Sequence, residues 1–331
     1  MSLFALITAL LLEQVHPLSS RKFLSGLLSG YVNFFRQRFN AGQQQHGMIA
    51  WLLAVLPLLA GVIVLYQLLY RLNPVFAWAF NVLVLYLTMG FRQFSHYFTD
   101  IHQALRDGRL DEARRLLSDW RGLASQELNA EEVARIAIEQ ALIASHRNVF
   151  GVIVWFVLFS AVGLGGAAGA LLYRLAQFLR WQLAEEYRDR WSGLKEETET
   201  ESSVGGQWEW GEFGKFSRRV FHVVDWLPVR LSAMTFAIVG NFEDTIYCWR
   251  TQAASWPDIE TGILLASGAG ALGVRLGMPI PQEGMLLDRP ELGVGDDADN
   301  AFMQGVVGLV WRSVVFWLIL LTLLSLSNLL S

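Results

Sequence analysis

The chain has 331 residues, 53% of them hydrophobic and 17% charged, with mean hydropathy +0.35. A soluble domain carries about 25% charged residues, and the apolar excess here lies in long blocks, so the composition points to an integral membrane protein. The formal net charge of −4 excludes a basic nucleic-acid footprint. The single cysteine, Cys248, excludes an internal disulfide and a Cys-rich metal site.

The opening MSLFALITALLLEQVHPL has neither a basic n-region nor a small-residue cleavage site. It reads as a retained membrane segment and not a signal peptide. About 20 apolar residues cross a bilayer as a helix. Met48–Tyr70 meets that length, with Pro57 as a kink point. Val75–Phe91 follows the tight turn RLNP and is expected to form a hairpin with it. In DEARRLLSDWRGLA, Asp111 and Glu112 sit near a helix start, where the dipole favours anions. NAEEVARIAIEQALIA has Asn129 as its N-cap, with Val133, Ile136 and Ala137 at helical spacing. Val149–Tyr173 is long enough to cross but carries GLGGAAGA, Gly163–Ala170, in its middle. That stretch is expected to interrupt the helix or to pack closely against a neighbour. Glu196–Trp210 is acidic, then rich in Ser and Gly, and reads as a linker. Val306–Leu330 is a further clear span, broken by Arg312. Leu3–Leu12 and Gly262–Val274 are apolar but short.

Orientation follows Lys and Arg in short flanks. Between Gln14 and His46 stand Arg21, Lys22, Arg36 and Arg38 with no acid, so this segment is expected to be cytoplasmic. If Val149–Tyr173 crosses once, Arg174–Phe221 is periplasmic, against the rule, since it holds six arginines. If the glycines fold the segment back, that loop stays cytoplasmic, and the rule favours this second reading. The organisation expected is 1–91 as a membrane segment and hairpin, 92–148 as a cytoplasmic helical region, 149–222 as a Gly-rich membrane segment with linker, and 223–331 as a C-terminal membrane region.

The familiar chemical motifs are absent or altered. There is no HExxH or CxxC. GQWEWGE has the glycine spacing of a P-loop but places Glu212 where the lysine belongs. GDDADN clusters Asp296, Asp297 and Asp299; it reads as a turn capping the C-terminal helix, with a Mg²⁺ or Ca²⁺ site as the alternative. A transporter reading is weak, because the clear spans carry almost no charge apart from Arg312.

HVVDWLPVRLSA, His222–Ala233, sets Asp225 and Arg230 inside an apolar run. Pro228 suits the first turn of a helix, which would run to Gly240. Trp226 suits the membrane interface. Arg230 is expected to pair with Asp225, either as an interfacial anchor or as part of an anion site.

AGALGVRLG, Ala269–Gly277, resembles the CobD/CbiB family of cobalamin-biosynthesis membrane proteins, whose form is close to A-G-A-L-G-[IV]-[RQ]-L-G. Pro290, Leu292 and Gly293 resemble the family's P-x-[IL]-G, and Gly165–Arg174 its G-G-A-P-x-x-x-x-Y-[RK]. MSLF with Glu13, and HVVDWLPVRLSA, look more like the related AmpE family, associated with β-lactamase induction. The first resemblance implies an amide synthase joining a corrinoid propionate to an amino-alcohol phosphate. Such a site needs an activated carboxylate, a place for phosphates and acids to hold a metal. His16-Pro17-Leu18 matches the family's H-P-V, but its preceding aspartates are replaced, leaving Glu13. The family's E-N-x-x-D-G falls on His146–Gly151, with His146 and Arg147 in the first two places. Arg180, Glu186 and Leu265 fall where the family has aspartate, lysine and glutamate.

These alterations imply a diverged scaffold acting as an AmpE-like modulator or sensor, more an interaction protein than an enzyme; the working cobalamin amide synthase is the alternative. The expected fold is an all-α polytopic inner-membrane protein with a cytoplasmic helical layer. Ligand or anchor candidates are Glu13, His16, His146, Arg147, Asp225, Arg230, Arg275 and Asp296. The expected partners are the lipid bilayer and either a small anionic ligand or another membrane protein, in an oligomer or alone, with no cofactor and no nucleic acid.

Overall fold

A computed structural model describes residues 2–16, 30–31, 44–180, 212–282 and 284–330. The basic residues Arg21, Lys22, Arg36 and Arg38, the linker Glu196–Trp210 and the position of Glu186 lie outside the described residues. The chain is predominantly helical. Among the described residues, four helices are long and apolar enough to cross a membrane: Met48–Leu72, Ala130–Ala161, Gly214–Val239 and Asn300–Ser327. It is a multi-pass membrane protein.

Two compact units divide it, one built of Met1–Pro17, Met89–Val154 and Trp226–Ser331, the other of Leu18–Thr88 and Trp155–Asp225. In the second unit, α2 (Gln44–Leu72) and α3 (Pro74–Thr88) form the expected hairpin. Asn73 turns it, its side chain accepting from the Val75 N–H at 2.9 Å. With 15 residues, α3 is shorter than a full crossing. The core of this unit sets Ala50, Trp51, Val55 and Leu59 of α2 against Leu175 and Leu179.

The expected long segment Val149–Tyr173 is two helices. The first ends at Ala161, and a second occupies 166–180. The break falls at the glycines, where Gly163 and Gly165 take φ of 79° and 89°, a region L side chains rarely adopt. Asn81 of α3, buried, accepts from the Ala167 N–H at 3.0 Å and so satisfies one orphan donor of the second helix. Close packing accompanies the break: a Cβ on Gly166 would meet Phe156 and Ser160, and one on Gly169 the Trp155 carbonyl.

In the first unit, α4 (Phe91–Arg106) and α5 (Leu110–Arg121) lead to α6 (Ala130–Ser145). Asn129 caps α6 in a reciprocal capping box with Glu132. A π-turn, His146–Phe150, carries α6 on into α7 (Gly151–Ala161). The crossing stretch therefore begins at Ala130, not at Val149. Arg135, Glu139 and the run His146–Asn148 dilute the apolar signal of its first half.

The helix holding HVVDWLPVRLSA, α9 (Glu212–Val239; α8 being residues 166–180), runs straight through Pro228. Pro228 thus lies inside the helix and not in its first turn, a position that packed membrane helices tolerate because neighbours re-satisfy the freed backbone groups. The expected stop is found, with Gly240 donating to the Phe236 carbonyl at 2.8 Å.

Next come α10 (Phe242–Gln252) and the buried α11 (Ile259–Leu272). Between α11 and α12 (Asn300–Leu330) the chain is not helical. Among its described residues this stretch holds five short strands: β1 (Val274–Gly277), β2 (Ile280–Gln282), β3 (Met285–Leu287), β4 (Glu291–Leu292) and β5 (Asp296–Asp297). β1 pairs antiparallel with β4 and parallel with β5, while β2 and β3 form a hairpin. An all-α reading misses them because strands of two to four residues leave no alternating pattern to find.

Candidate functional site

Buried charge gathers where α6 meets the strand layer. Arg135 and Glu139 stand four residues apart on α6, on the same face. Both are buried, at 7% and 3% exposure. Isolated charges of this kind are costly to desolvate, so each needs an account.

Glu139 is fully engaged. Arg289 grips it with two parallel bonds of 2.8 Å each, and the Gly277 N–H donates to it at 2.9 Å. A bidentate arginine–carboxylate pair is strong and fixed in orientation. Arg289 also donates to the carbonyls of Gly277 at 2.6 Å and Met278 at 3.1 Å, and its guanidinium lies 5.6 Å from the ring centre of Trp256.

The motifs that carry the family resemblance build this arrangement. AGALGVRLG ends α11 at Gly273, a left-handed cap, and delivers β1 so that Gly277 reaches Glu139. Gly277 itself has φ of 75°, and a Cβ there would strike the Pro290 carbonyl, so only glycine fits. Pro290 accepts from the Met278 N–H at 3.3 Å, Leu292 pairs with Leu276, and Gly293 is bracketed by both ends of the Gln252 amide. Met278 alone of the described non-glycine residues has positive φ, 65°. Strained backbone of this kind is held by its surroundings and clusters at functional sites.

Arg135 and Arg121 complete the cluster. Arg135 touches the Met278 sulfur at 3.4 Å, and its Nε is buried without a partner among the described residues. Arg121 ends α5, followed by the left-handed cap Gly122; among the described residues its Nε is also buried without a partner. Burial lowers the Arg121 pKa, with Glu139 pulling it back up and Arg289 pushing it further down. Arg121 therefore shares one electrostatic environment with the Glu139–Arg289 pair.

The sequence candidates fall as follows. Arg275 lies on β1, two residues before Gly277, and pairs with Asp297 at 2.8 Å and Glu291 at 3.6 Å. Asp296 is exposed on β5, its N–H donating to Gly273 at 3.3 Å. His146, buried in the π-turn, has its Nδ1 2.9 Å from the Ser232 hydroxyl. Arg147 is half-buried beside it. Glu13 is buried on α1 (Ser2–Val15), with His16 exposed just beyond the helix end. Asp225 accepts from the Tyr173 hydroxyl at 2.8 Å. Arg230 turns onto Trp226, donating to its carbonyl at 2.8 Å and lying 4.2 Å over its ring. This replaces the expected Asp225 partnership: one helical turn brings the Trp226 carbonyl and ring within reach of the guanidinium.

Arg121, Arg135, Glu139 and Arg289 were not among the candidates. The available signal is an Arg and a Glu at i, i+4 inside an otherwise apolar helix. The aspartate turn is a cap, as expected: Asp299 accepts from the N–H groups of Ala301 and Phe302 at 2.8 and 3.0 Å. A carboxylate-held metal does not fit it, since Asp297 faces Arg275. Among the described residues no three His, Cys, Asp or Glu side chains gather to hold an ion.

A multi-pass helical membrane protein with a buried arginine–glutamate centre is the class these features define. The family model for CobD/Cbib protein matches residues 5–180 and 200–310, and the chain belongs to that family. It is 33% identical over 331 residues to the cobalamin biosynthesis protein CobD of Stutzerimonas stutzeri (strain A1501), covering 97% of each. Similarity to CobD of Chromobacterium violaceum is 32% over 270 residues, covering 82% of this chain and 73% of the relative. Similarity to the cobalamin biosynthesis protein CbiB of Salmonella typhimurium is 28% over 240 residues, covering 70% and 66%. No solved structure matches. These findings overturn the expectation that the chain is more an interaction protein than an enzyme. That expectation rested on four short patterns, where a slip of a few residues moves an acid out of register; the end-to-end match weighs the whole chain, and the AmpE side of the resemblance gains no support from it.

Proposed function

We propose that the protein is an amide-forming enzyme of cobalamin assembly, of the adenosylcobinamide-phosphate synthase type. It joins a corrinoid propionate to the amine of an amino-alcohol phosphate. The observation that carries this reading is the similarity to a cobalamin biosynthesis protein CobD along 97% of both chains.

The chemistry sets the requirements. A carboxylate does not react with an amine until its oxygen becomes a leaving group, so ATP first transfers a phosphoryl group to it. The amine then attacks the acyl carbon and phosphate departs. Every species carries negative charge, and holding them in line supplies much of the rate. The buried guanidiniums around Glu139 supply fixed positive charge for that purpose. ATP is cytoplasmic, and the four basic residues between Gln14 and His46, with no acid among them, support an inner-membrane protein whose helices α4 and α5 form a layer on that side.

The test is twofold. The gene is expressed in a cell lacking its own synthase, and the purified protein is given adenosylcobyric acid, amino-alcohol phosphate and ATP. Restored growth and a product of the amide mass are expected. Absence of both, with the protein folded and in the membrane, overturns the reading.

A further inference from the structure

We infer that α9 carries a hinge at Pro228, latched by the Trp155 indole, where the chain passes from one compact unit to the other. The inference goes beyond the reading above and does not rest on it.

Proline has no N–H. At Pro228 the helix therefore loses the bond that would close on the carbonyl four residues back, that of Val224. An orphan carbonyl in a membrane-spanning helix has no water to turn to. This one has a partner on another helix: the Trp155 indole N–H of α7 donates to it at 2.9 Å. The Trp155 ring is itself held edge-on by Phe159, with ring centres 5.9 Å apart. The substitute bond comes from a side chain, so it opens without unwinding either helix.

The latched turn lies at a passage between units. α9 passes from the second unit to the first after Asp225, and the α6–α7 run passes from the first to the second after Val154. A regular helix through such a passage is a stiff strut. Neither is regular there. Pro228 stands three residues beyond Asp225, and the π-turn His146–Phe150 ends four residues before Val154. A third passage, after Thr88, falls on the non-helical pair Met89 and Gly90. The Gly90 N–H donates to the Asn148 carbonyl at 3.3 Å, so this joint meets the π-turn. The remaining passage, at 17–18, lies outside the described residues. Prolines and π-turns are where helices bend, and hinges gather at a few such positions.

Anchors flank the proline. On one side Asp225 accepts from the Tyr173 hydroxyl at 2.8 Å, within the second unit. On the other, the Ser232 hydroxyl bonds His146 at 2.9 Å, within the first. Each half of α9 is fastened to its own unit, and the turn between the fastenings is the one that lacks a helical bond. While Trp155 holds Val224, α9 stays a single helix. When it lets go, the two halves swing.

The experiment uses the full chain in lipid nanodiscs, with nitroxide labels on exposed positions and the buried Cys248 left in place. Gln126→Cys with Thr251→Cys reads a distance within the first unit, and Gln126→Cys with Arg71→Cys one across the two units. Pulsed EPR is expected to give a narrow distance within the unit and a cross-unit distribution at least about twice as broad. Pro228→Ala restores the missing N–H and is expected to narrow the cross-unit distribution. Trp155→Phe keeps a ring, loses the donor, and is expected to broaden it further. In the double variant the N–H that alanine brings serves Val224, so Trp155→Phe is expected to lose its effect. A wild-type cross-unit distribution as narrow as the control overturns the hinge. So does an unchanged width in Pro228→Ala, or broadening by Trp155→Phe that persists undiminished beside it. Should Trp155→Phe alone not fold, a folded double variant with the narrow distribution supports the latch, and failure of both to fold overturns it. If the widths respond as stated and no amide forms, the enzyme reading falls and the hinge stands.

Discussion

Two buried carboxylates stand on crossing helices of this protein, and their surroundings differ. Glu139 on α6 meets a guanidinium, a glycine N–H and the field of two more arginines. Asp225 on α9 receives a phenol hydroxyl from Tyr173, beside the Tyr173–Phe221 ring pair and the Trp155 indole, which donates to the neighbouring Val224 carbonyl at 2.9 Å. The first carboxylate is the anchor of a cationic centre. The second ties helices together within its own unit. Burial of an acid does not by itself mark a site.

The largest expected effect breaks the first environment. Glu139→Ala leaves Arg289 buried and unmatched, since their side chains are 4% and 12% exposed. Loss of one partner of a buried pair costs roughly 3–5 kcal/mol. A fall of that size in unfolding free energy is expected, with Arg289→Ala alike and the double variant well short of the sum. Additive losses would show that the pair is not coupled.

Asp225 gives the contrast. Tyr173→Phe removes a donor from a buried acid and is expected to cost about 1.5–3 kcal/mol. A loss as large as that of Glu139→Ala would mean that the two buried acids carry equal weight in the fold. Gly166→Leu probes packing in the same unit. A side chain there meets Phe156 and Ser160, and overpacking of about 1–3 kcal/mol is expected. An unchanged melting temperature would mean that the break at 162–165 absorbs it.

Much of the fold is legible from residue pattern alone. Met48–Tyr70 and Val306–Leu330 are read from hydropathy, Asn129 and Asp299 from capping chemistry, and the break after Ala161 from its glycines. Each of these signals is local. The arginine centre is not, because Glu139 and Arg289 lie 150 residues apart and no local pattern joins them. Charge also hid the crossing stretch that begins at Ala130, since Arg135 and Glu139 lower the very hydropathy by which such a stretch is found. HVVDWLPVRLSA is the opposite case. Its charges are close in sequence, yet Arg230 is satisfied by Trp226 one turn away, and Pro228 interrupts nothing.

The smallest expected effect concerns Cys248, and it decides on which side of the membrane the arginine centre opens. Burial pushes the Cys248 thiol up to about 11, with the Asp244 carboxylate adding to the shift. A raised thiol pKa means a smaller thiolate fraction below it. At pH 8 that fraction is about one in a thousand, against roughly a quarter for an ordinary thiol near 8.5. The thiolate is the reactive form, and Cys248 is fully buried, so the wild-type chain is expected to label at least about 100-fold more slowly than an exposed cysteine. This gives a silent background. Gln126→Cys then places a reactive thiol on the exposed loop between α5 and α6, five residues beyond Arg121. A membrane-impermeant maleimide is expected to miss it in intact cells and to label it in inverted vesicles, because an enzyme that takes ATP opens on the cytoplasm. Rapid labelling of Gln126→Cys in intact cells would place the loop outside, and the arginine centre with it, beyond reach of cytoplasmic ATP. Rapid labelling of the wild-type chain would instead show that Cys248 is not sealed within its unit.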